Sequence, residues 1–236
     1  MPHSPLHPPT LQEACEALSS IAPLELAWPT VFDAPAAVER AWVDFAAHHP
    51  QDERVALRRA LAFAKARHTD QRRRGSETPY WVHLVRVALE LARWGQDSPV
   101  LGQAALLHDV IEDTPTTYAE VLEGFGPDVA GLVEWLTAPP GGDEEVVAAY
   151  YARLRDEGPP EAHVLKLADR TDNLRSIQAL VMRTGDHYRR WAGRYLEATQ
   201  RQVVPLAAAA PSIARVTLVT AMADLAPLVG HKITES

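Results

Sequence analysis

The run AALLHDVIEDTPTT at 104–117 sets His108, Asp109, Glu112 and Asp113 into an otherwise apolar helical segment. Four polar groups add no packing beside Ala-Ala-Leu-Leu. An imidazole next to a carboxylate is, however, a ligand combination for a metal ion. On a helix of about 3.6 residues per turn, His108 and Asp109 point roughly 100° apart, so they converge only on an ion between their directions. Glu112 and Asp113 follow at i+4 from each and share that side. This mixed nitrogen and oxygen set suits Mn, Fe or Zn better than a thiolate site or an all-oxygen calcium site.

Two other apolar segments supply further ligands. TPYWVHLVRVA carries His83, and VLKLADRTDNLRSI carries Asp169, with Asn173 at i+4 from it. Each has a plain reading taken singly. A lone His83 is a core or surface histidine, and a lone Asp169 is a salt-bridge partner of Lys166 or Arg170. Together, two His and two Asp on three helices form a ligand set with room for water. Water on a metal becomes a nucleophile near neutrality. Glu112 and Asp113 would orient or deprotonate it and later protonate a leaving group.

The elements that must position these residues are helical, since the helical period dominates and strand signals are scarce. The pattern predicts helices over 10–21, 36–48, 51–68, 80–94, 98–113, 117–124, 127–137, 143–156, 160–183, 186–209 and 212–226. Ser98 and Pro99 suit the start of the 98–113 helix, and Pro115 forces it to end near Asp113. Glu112 and Asp113 therefore lie at a helix C-terminus, where the macrodipole disfavours carboxylates. A nearby cation resolves that conflict. The expected architecture is all-α, a helical bundle in one domain. Residues 1–50 form a partly flexible helical extension, 51–210 the catalytic domain, and 211–236 a C-terminal helix packed on it.

Composition narrows the function classes. The 236 residues carry 23 Lys plus Arg against 31 Asp plus Glu, a net charge of −8, which argues against a general nucleic-acid or anionic-membrane binder. A local basic pocket for a phosphorylated small molecule is compatible with it. The single cysteine, Cys15, rules out an intrachain disulfide and suits a cytoplasmic protein. The N-terminus lacks the basic start and apolar run of a signal peptide. The apolar stretch 203–230 is interrupted by Arg215, Asp224 and three prolines. It reads as a buried helix or a homo-oligomer interface, not as a membrane span.

The motifs RRRGSETPYWVHLVRVALEL, AALLHDVIEDTPTTYAEVLEGFGPDVAGLVEWLT and LKLADRTDNLRSI resemble, in order and spacing, the hydrolase domain of the RelA/SpoT family. Within it they look most like the stand-alone small alarmone hydrolases of the metazoan SpoT-homologue kind. The resemblance covers about residues 55–205. It implies an HD-superfamily, Mn²⁺-dependent 3′-pyrophosphohydrolase that converts ppGpp or pppGpp to GDP or GTP plus pyrophosphate. Position by position, it implies His83, His108, Asp109 and Asp169 as metal ligands and Glu112 and Asp113 as the acidic pair that prepares water. It further implies Arg73, Arg74, Asn173 and Ser176 as substrate-binding residues. Asp172 departs from the pattern, standing where many members carry Tyr or His. Near a phosphate site it would repel an anion and shift the preferred nucleotide, unless it faces solvent. RVTLVTAMADL does not resemble the family's synthetase domain, so no alarmone synthesis is expected. The alternatives are an HD phosphohydrolase of another substrate, such as NADPH or a nucleoside phosphate, and a non-catalytic nucleotide-binding module.

Overall fold

The computed structural model describes residues 34–231. The helix expected over 10–21 lies outside them. Eleven α-helices follow: α1 Pro35–Ala47, α2 Gln51–Arg67, α3 Trp81–Arg93, α4 Pro99–Leu107, α5 Val110–Asp113, α6 Tyr118–Phe125, α7 Pro127–Leu136, α8 Glu144–Glu157, α9 Pro160–Thr184, α10 Asp186–Ala198 and α11 Ser212–Val229. Among the described residues the only β-type pairing is an isolated bridge between Arg72 and Pro79. The all-α expectation holds.

Local chemistry sets most of the boundaries. The Ser98 side chain accepts from Leu101 N–H and Pro99 opens α4. Thr117 and Glu120 form a reciprocal capping box at α6. Asp143 caps α8, and prolines open α7 and α9.

Two expected helices are interrupted. The 98–113 helix ends at Leu107 and restarts at Val110. His108 Nδ1 donates to Ala105 O at 2.7 Å. That carbonyl is the one Asp109 N–H would use in a continuous helix. The side chain thus competes with the backbone at the point where the site residues sit. The 186–209 helix ends at Ala198 and passes through a π turn, Thr199–Val203, into a 3₁₀ segment, Val204–Ala209. Pro205 has no N–H to donate, and its ring excludes the Arg201 carbonyl.

Helix α9, 25 residues long, is the spine of the fold and packs against α3, α10 and α11. Helix α4 packs between α2, α3 and α7. One apolar cluster runs through these layers, including Leu57, Leu84, Leu106, Leu107, Leu165 and Leu167. α1 joins it through Val38, Trp42 and Phe45. Burial of such side chains contributes roughly 1.5–3 kcal/mol each against full exposure. Helix α11 is long and apolar enough to cross a membrane by length and composition, with a mean hydropathy of 1.4. Here it lies on α9 and α10, with Ala214, Leu218, Ala221, Met222 and Leu225 in the core.

The 68–80 loop is pinned from both sides. Arg73 N–H donates to Thr78 O and Tyr80 N–H to Gln71 O. Arg183 Nη2 donates to Gly75 O at 2.8 Å. Gly75 has φ +65°, and a Cβ there would meet Leu180 Cδ1 at 2.7 Å. Substituting Gly75 with Ala should therefore cost more than about 1 kcal/mol. Gly131 lies inside α7 with open space around its Cα. Gly131→Ala should gain roughly 0.5–1 kcal/mol from helix propensity. Thermal and urea melts of the two variants should move in opposite directions.

Candidate metal centre and phosphate-facing cleft

Three helical segments deliver the four expected ligands to one point. His83 comes from α3, His108 and Asp109 from the break between α4 and α5, and Asp169 from the middle of α9. His83 Nε2 lies 3.4 Å from Asp169 Oδ1 and 3.6 Å from Asp109 Oδ2. His108 Nε2 lies 3.7 Å from Asp169 Oδ1 and 3.0 Å from Asp109 Oδ2. Ligand atoms about 2.0–2.2 Å from one ion, at octahedral to tetrahedral angles, lie roughly 3 to 3.6 Å apart. Donor atoms of His83, His108 and Asp169 fall within 4.8 Å of one another, and Asp109 closes the set beside both imidazoles.

The protonation pattern fits a divalent cation as well as the spacing does. His108 Nδ1 faces a carbonyl and His83 Nδ1 faces the Asp172 carboxylate at 2.7 Å. Both partners only accept, so both Nδ1 atoms carry a proton, and in each neutral imidazole Nε2 is the atom left with a lone pair. The two Nε2 atoms are buried and make no hydrogen bond. Burial alone would lower the His108 pKa, but the Asp109 and Asp169 carboxylates push it up to about 10. Against burial that would raise it, Lys166 and the two imidazoles hold Asp169 well below the usual carboxylate range. The two carboxylates need positive charge between them. A divalent ion supplies it and uses the lone pairs that a proton would block.

The residues around this set are tied to it in sequence. Tyr80 Oη donates to Asp109 Oδ2 at 2.7 Å. Lys166 Nζ lies 3.1 Å from Asp169 Oδ2. Asn173 Nδ2 donates to Asp169 Oδ1, and Arg73 Nη2 donates to Asn173 Oδ1, both at 2.6 Å. Glu112 Oε2 accepts from Ala138 N–H at 3.0 Å. Glu112 and Asp113 both reach solvent. Desolvation raises the pKa of each, reinforced at Asp113 by the Asp109 charge.

Beside the ligand set opens a cleft of about 370 Å³. Arg73, Arg74, Arg183, Glu112, Asn173 and Trp191 are among its lining residues. Arg73 lies over the Tyr80 ring at 5.5 Å and Arg74 over the Trp191 ring at 4.8 Å. Three guanidinium groups against one carboxylate make the cleft locally basic in an acidic protein, a suitable environment for phosphate groups.

The sequence-based site residues thus fall into two neighbouring groups. His83, His108, Asp109 and Asp169 form the inner cluster; Arg73, Arg74, Asn173, Ser176 and Glu112 line the cleft. Asp113 stands apart from the lining, with its backbone carbonyl held by Gln71 Nε2 at 2.7 Å. Asp172 differs from its expectation. It faces neither phosphate nor solvent but is fully buried against Arg86 and His83. Tyr80, Lys166, Arg86 and Trp191 received no site role from the sequence. For Arg86 a signal existed, a lone arginine three residues after His83 in the apolar run WVHLVRVALEL.

Residues 60–139 match the HD domain family. Guanosine-3′,5′-bis(diphosphate) 3′-pyrophosphohydrolase MESH1 of Xenopus tropicalis is 41% identical over 126 residues, which is 50% of this chain and 68% of that protein. The Drosophila melanogaster MESH1 is 40% identical over 125 residues, 50% of this chain and 67% of the relative. The guanosine-3′,5′-bis(diphosphate) 3′-pyrophosphohydrolase of Aquifex aeolicus is 41% identical over 133 residues, 55% of this chain. There the match spans 19% of the longer relative. A solved structure of a metazoan ortholog of SpoT, which hydrolyzes ppGpp and plays a role in starvation responses, superposes with a TM-score of 0.59. It is 28% identical and covers 73% of this chain and 95% of its own. With its helical fold, its His-His-Asp cluster and relatives matched over two thirds of their length, the chain belongs to the HD-domain family of MESH1 and SpoT.

Proposed function

We propose that the chain hydrolyses the 3′-pyrophosphate of ppGpp or pppGpp, giving GDP or GTP plus pyrophosphate, with Mn²⁺ as its metal. The observation that carries this reading is the adjacency of the four-donor cluster, the Glu112 carboxylate and a cleft faced by three arginines. The MESH1 relatives and the SpoT ortholog supply the substrate. A single cysteine suits the cytoplasm as the compartment.

In this reading His83, His108, Asp109 and Asp169 hold the ion. When bound, the ion supplies Lewis acidity toward phosphoryl oxygen and acidifies water. Tyr80 fixes the rotamer of Asp109, and Lys166 and Asn173 fix Asp169. Glu112, steadied by the Ala138 N–H, takes the proton of the attacking water as the bond from phosphorus to the ribose 3′-oxygen breaks. Asp113 supports it from the adjacent position with a raised pKa. That proton is then returned to the 3′-oxygen of the departing guanosine nucleotide. Arg73 and Arg74 bind phosphate or stack on the base, which suits planar guanidinium groups already lying over aromatic rings. Asn173 and Ser176 orient the nucleotide from the cleft floor.

Pyrophosphate release from ppGpp, measured with Mn²⁺ and with chelator, tests the activity. Mn²⁺-dependent release with GDP as co-product is expected. No release by folded, Mn²⁺-loaded protein would refute the substrate, and a panel including NADPH and nucleoside phosphates would identify another.

Asp109→Ala should abolish both Mn²⁺ binding, read by calorimetry, and turnover. Glu112→Gln with Asp113→Asn should keep Mn²⁺ binding and lower kcat by about 10²–10⁴-fold, the usual worth of a general acid–base. A fully active double variant would remove the acidic pair from the mechanism.

A further inference from the structure

Behind the inner cluster lies a charged network that the proposed reaction does not itself use. Arg86, on α3, is 1% exposed, and Asp172, on α9, is fully buried. Arg86 Nε donates to Asp172 Oδ1 at 2.6 Å, and Arg86 Nη2 to Asp172 Oδ2 at 2.9 Å. The same Oδ2 accepts from His83 Nδ1 at 2.7 Å. Arg86 Nη2 also donates to Ser176 Oγ at 2.8 Å. Four charge-assisted contacts therefore converge on one interhelical point. Arginine and aspartate stand i+3 from His83 and Asp169 respectively, one turn behind each ligand on its own helix.

A buried ion pair is a weak device for stability, because desolvation offsets most of its attraction. Its geometry here supplies something else. The bidentate fork leaves the carboxylate a single orientation. From that orientation Asp172 can only accept from His83, so it fixes both the ring rotation and the Nδ1–H tautomer. Arg86 has no acceptor, so Ser176 accepts from it, and the Ser176 hydroxyl proton is left to donate toward the cleft it lines.

We propose that Asp172, clamped by Arg86, is a positioning residue that holds the His83 Nε2 lone pair on the metal point, and that the same clamp orients the Ser176 hydroxyl. Hydrogen bonds to the far nitrogen of a ligating histidine typically matter about 10–100-fold in metal affinity. The inference rests on the divalent-metal reading of the site, so metal binding is measured directly and apart from turnover.

Metal-free wild type, Asp172→Asn and the double variant Arg86→Met with Asp172→Leu are titrated with Mn²⁺ by calorimetry. Circular dichroism and thermal melts establish that each is folded. The double variant replaces the whole pair by apolar groups, an exchange that buried ion pairs often tolerate. Mn²⁺ Kd should rise about 10–100-fold in both variants. Glu90→Gln, which weakens a partly buried pair between the same two helices, Glu90 with Arg175, should leave it within about twofold. Folded variants with wild-type Mn²⁺ affinity would overturn the positioning role. A wild type that binds no Mn²⁺ would overturn the metal reading beneath it. One readout needs no variant. In ¹⁵N-histidine spectra of the Zn²⁺-loaded wild type, His83 should carry its proton on Nδ1. A proton on Nε2 would defeat the proposal even if the variants fail to fold.

Discussion

Two carboxylates and two imidazoles share one desolvated point between three helices, and the rest of the molecule is arranged around the cation this requires. Asp109 and Asp169 are drawn out of water, where an unpaired charge is costly. The Lys166 ammonium offsets part of that charge from one side. What remains faces two imidazole lone pairs, a combination that a divalent ion completes and a proton completes only by blocking a ligand atom. The other polar contacts of the site then have one common effect. Tyr80, Asn173, Asp172 and Ala105 each hold a donor atom in the orientation the ion needs.

The fold meets this requirement by spending regularity in one place. The helix breaks after Leu107, although His108 and Asp109 both keep right-handed helical backbone angles, and His108 Nε2 and Asp109 Oδ2 lie 3.0 Å apart. The uninterrupted helices α3 and α9 carry the other ligands, so two of the three backbone segments around the point are regular. Helix α9 serves both ends of the site. Asp169 reaches the inner cluster, Asn173 and Ser176 line the cleft, and Arg183 ties down the loop that presents Arg73 and Arg74.

Much of this was legible in the residues. The helical period located most of the helices, and Ser98 and Pro99 marked a boundary that the structure keeps. The ligand types were legible because His and Asp on apolar helical faces have no packing reason to be there. The break at His108 was not, because it comes from a side chain taking a backbone carbonyl, which leaves no trace in periodicity. Nor was the place of Asp172. Its neighbours in sequence suggested the phosphate side, whereas the residue that decides its orientation, Arg86, is 86 positions away and on another helix. Pairings across the chain are invisible to local pattern, although an arginine and an aspartate each buried in an apolar run are individually anomalous.

The chain from cleft to inner cluster also explains why an acidic protein concentrates arginines here. Arg73 donates to Asn173, which donates to Asp169. Each link uses one definite side of the Asn173 amide, its oxygen toward Arg73 and its nitrogen toward Asp169, so the amide cannot flip without losing both bonds. On the proposed reading, phosphate recognition and ligand orientation would thereby be built from the same hydrogen bonds. A phosphate that engages Arg73 meets a guanidinium whose direction is already set by Asp169, and the entropy of ordering that long side chain is spent on folding rather than on binding. The same logic holds at Arg74, restrained over Trp191. In the proposed reaction, preorganised positive charge outside and a preorganised donor set inside would let one short cleft receive a polyanion and present one of its phosphorus atoms to water.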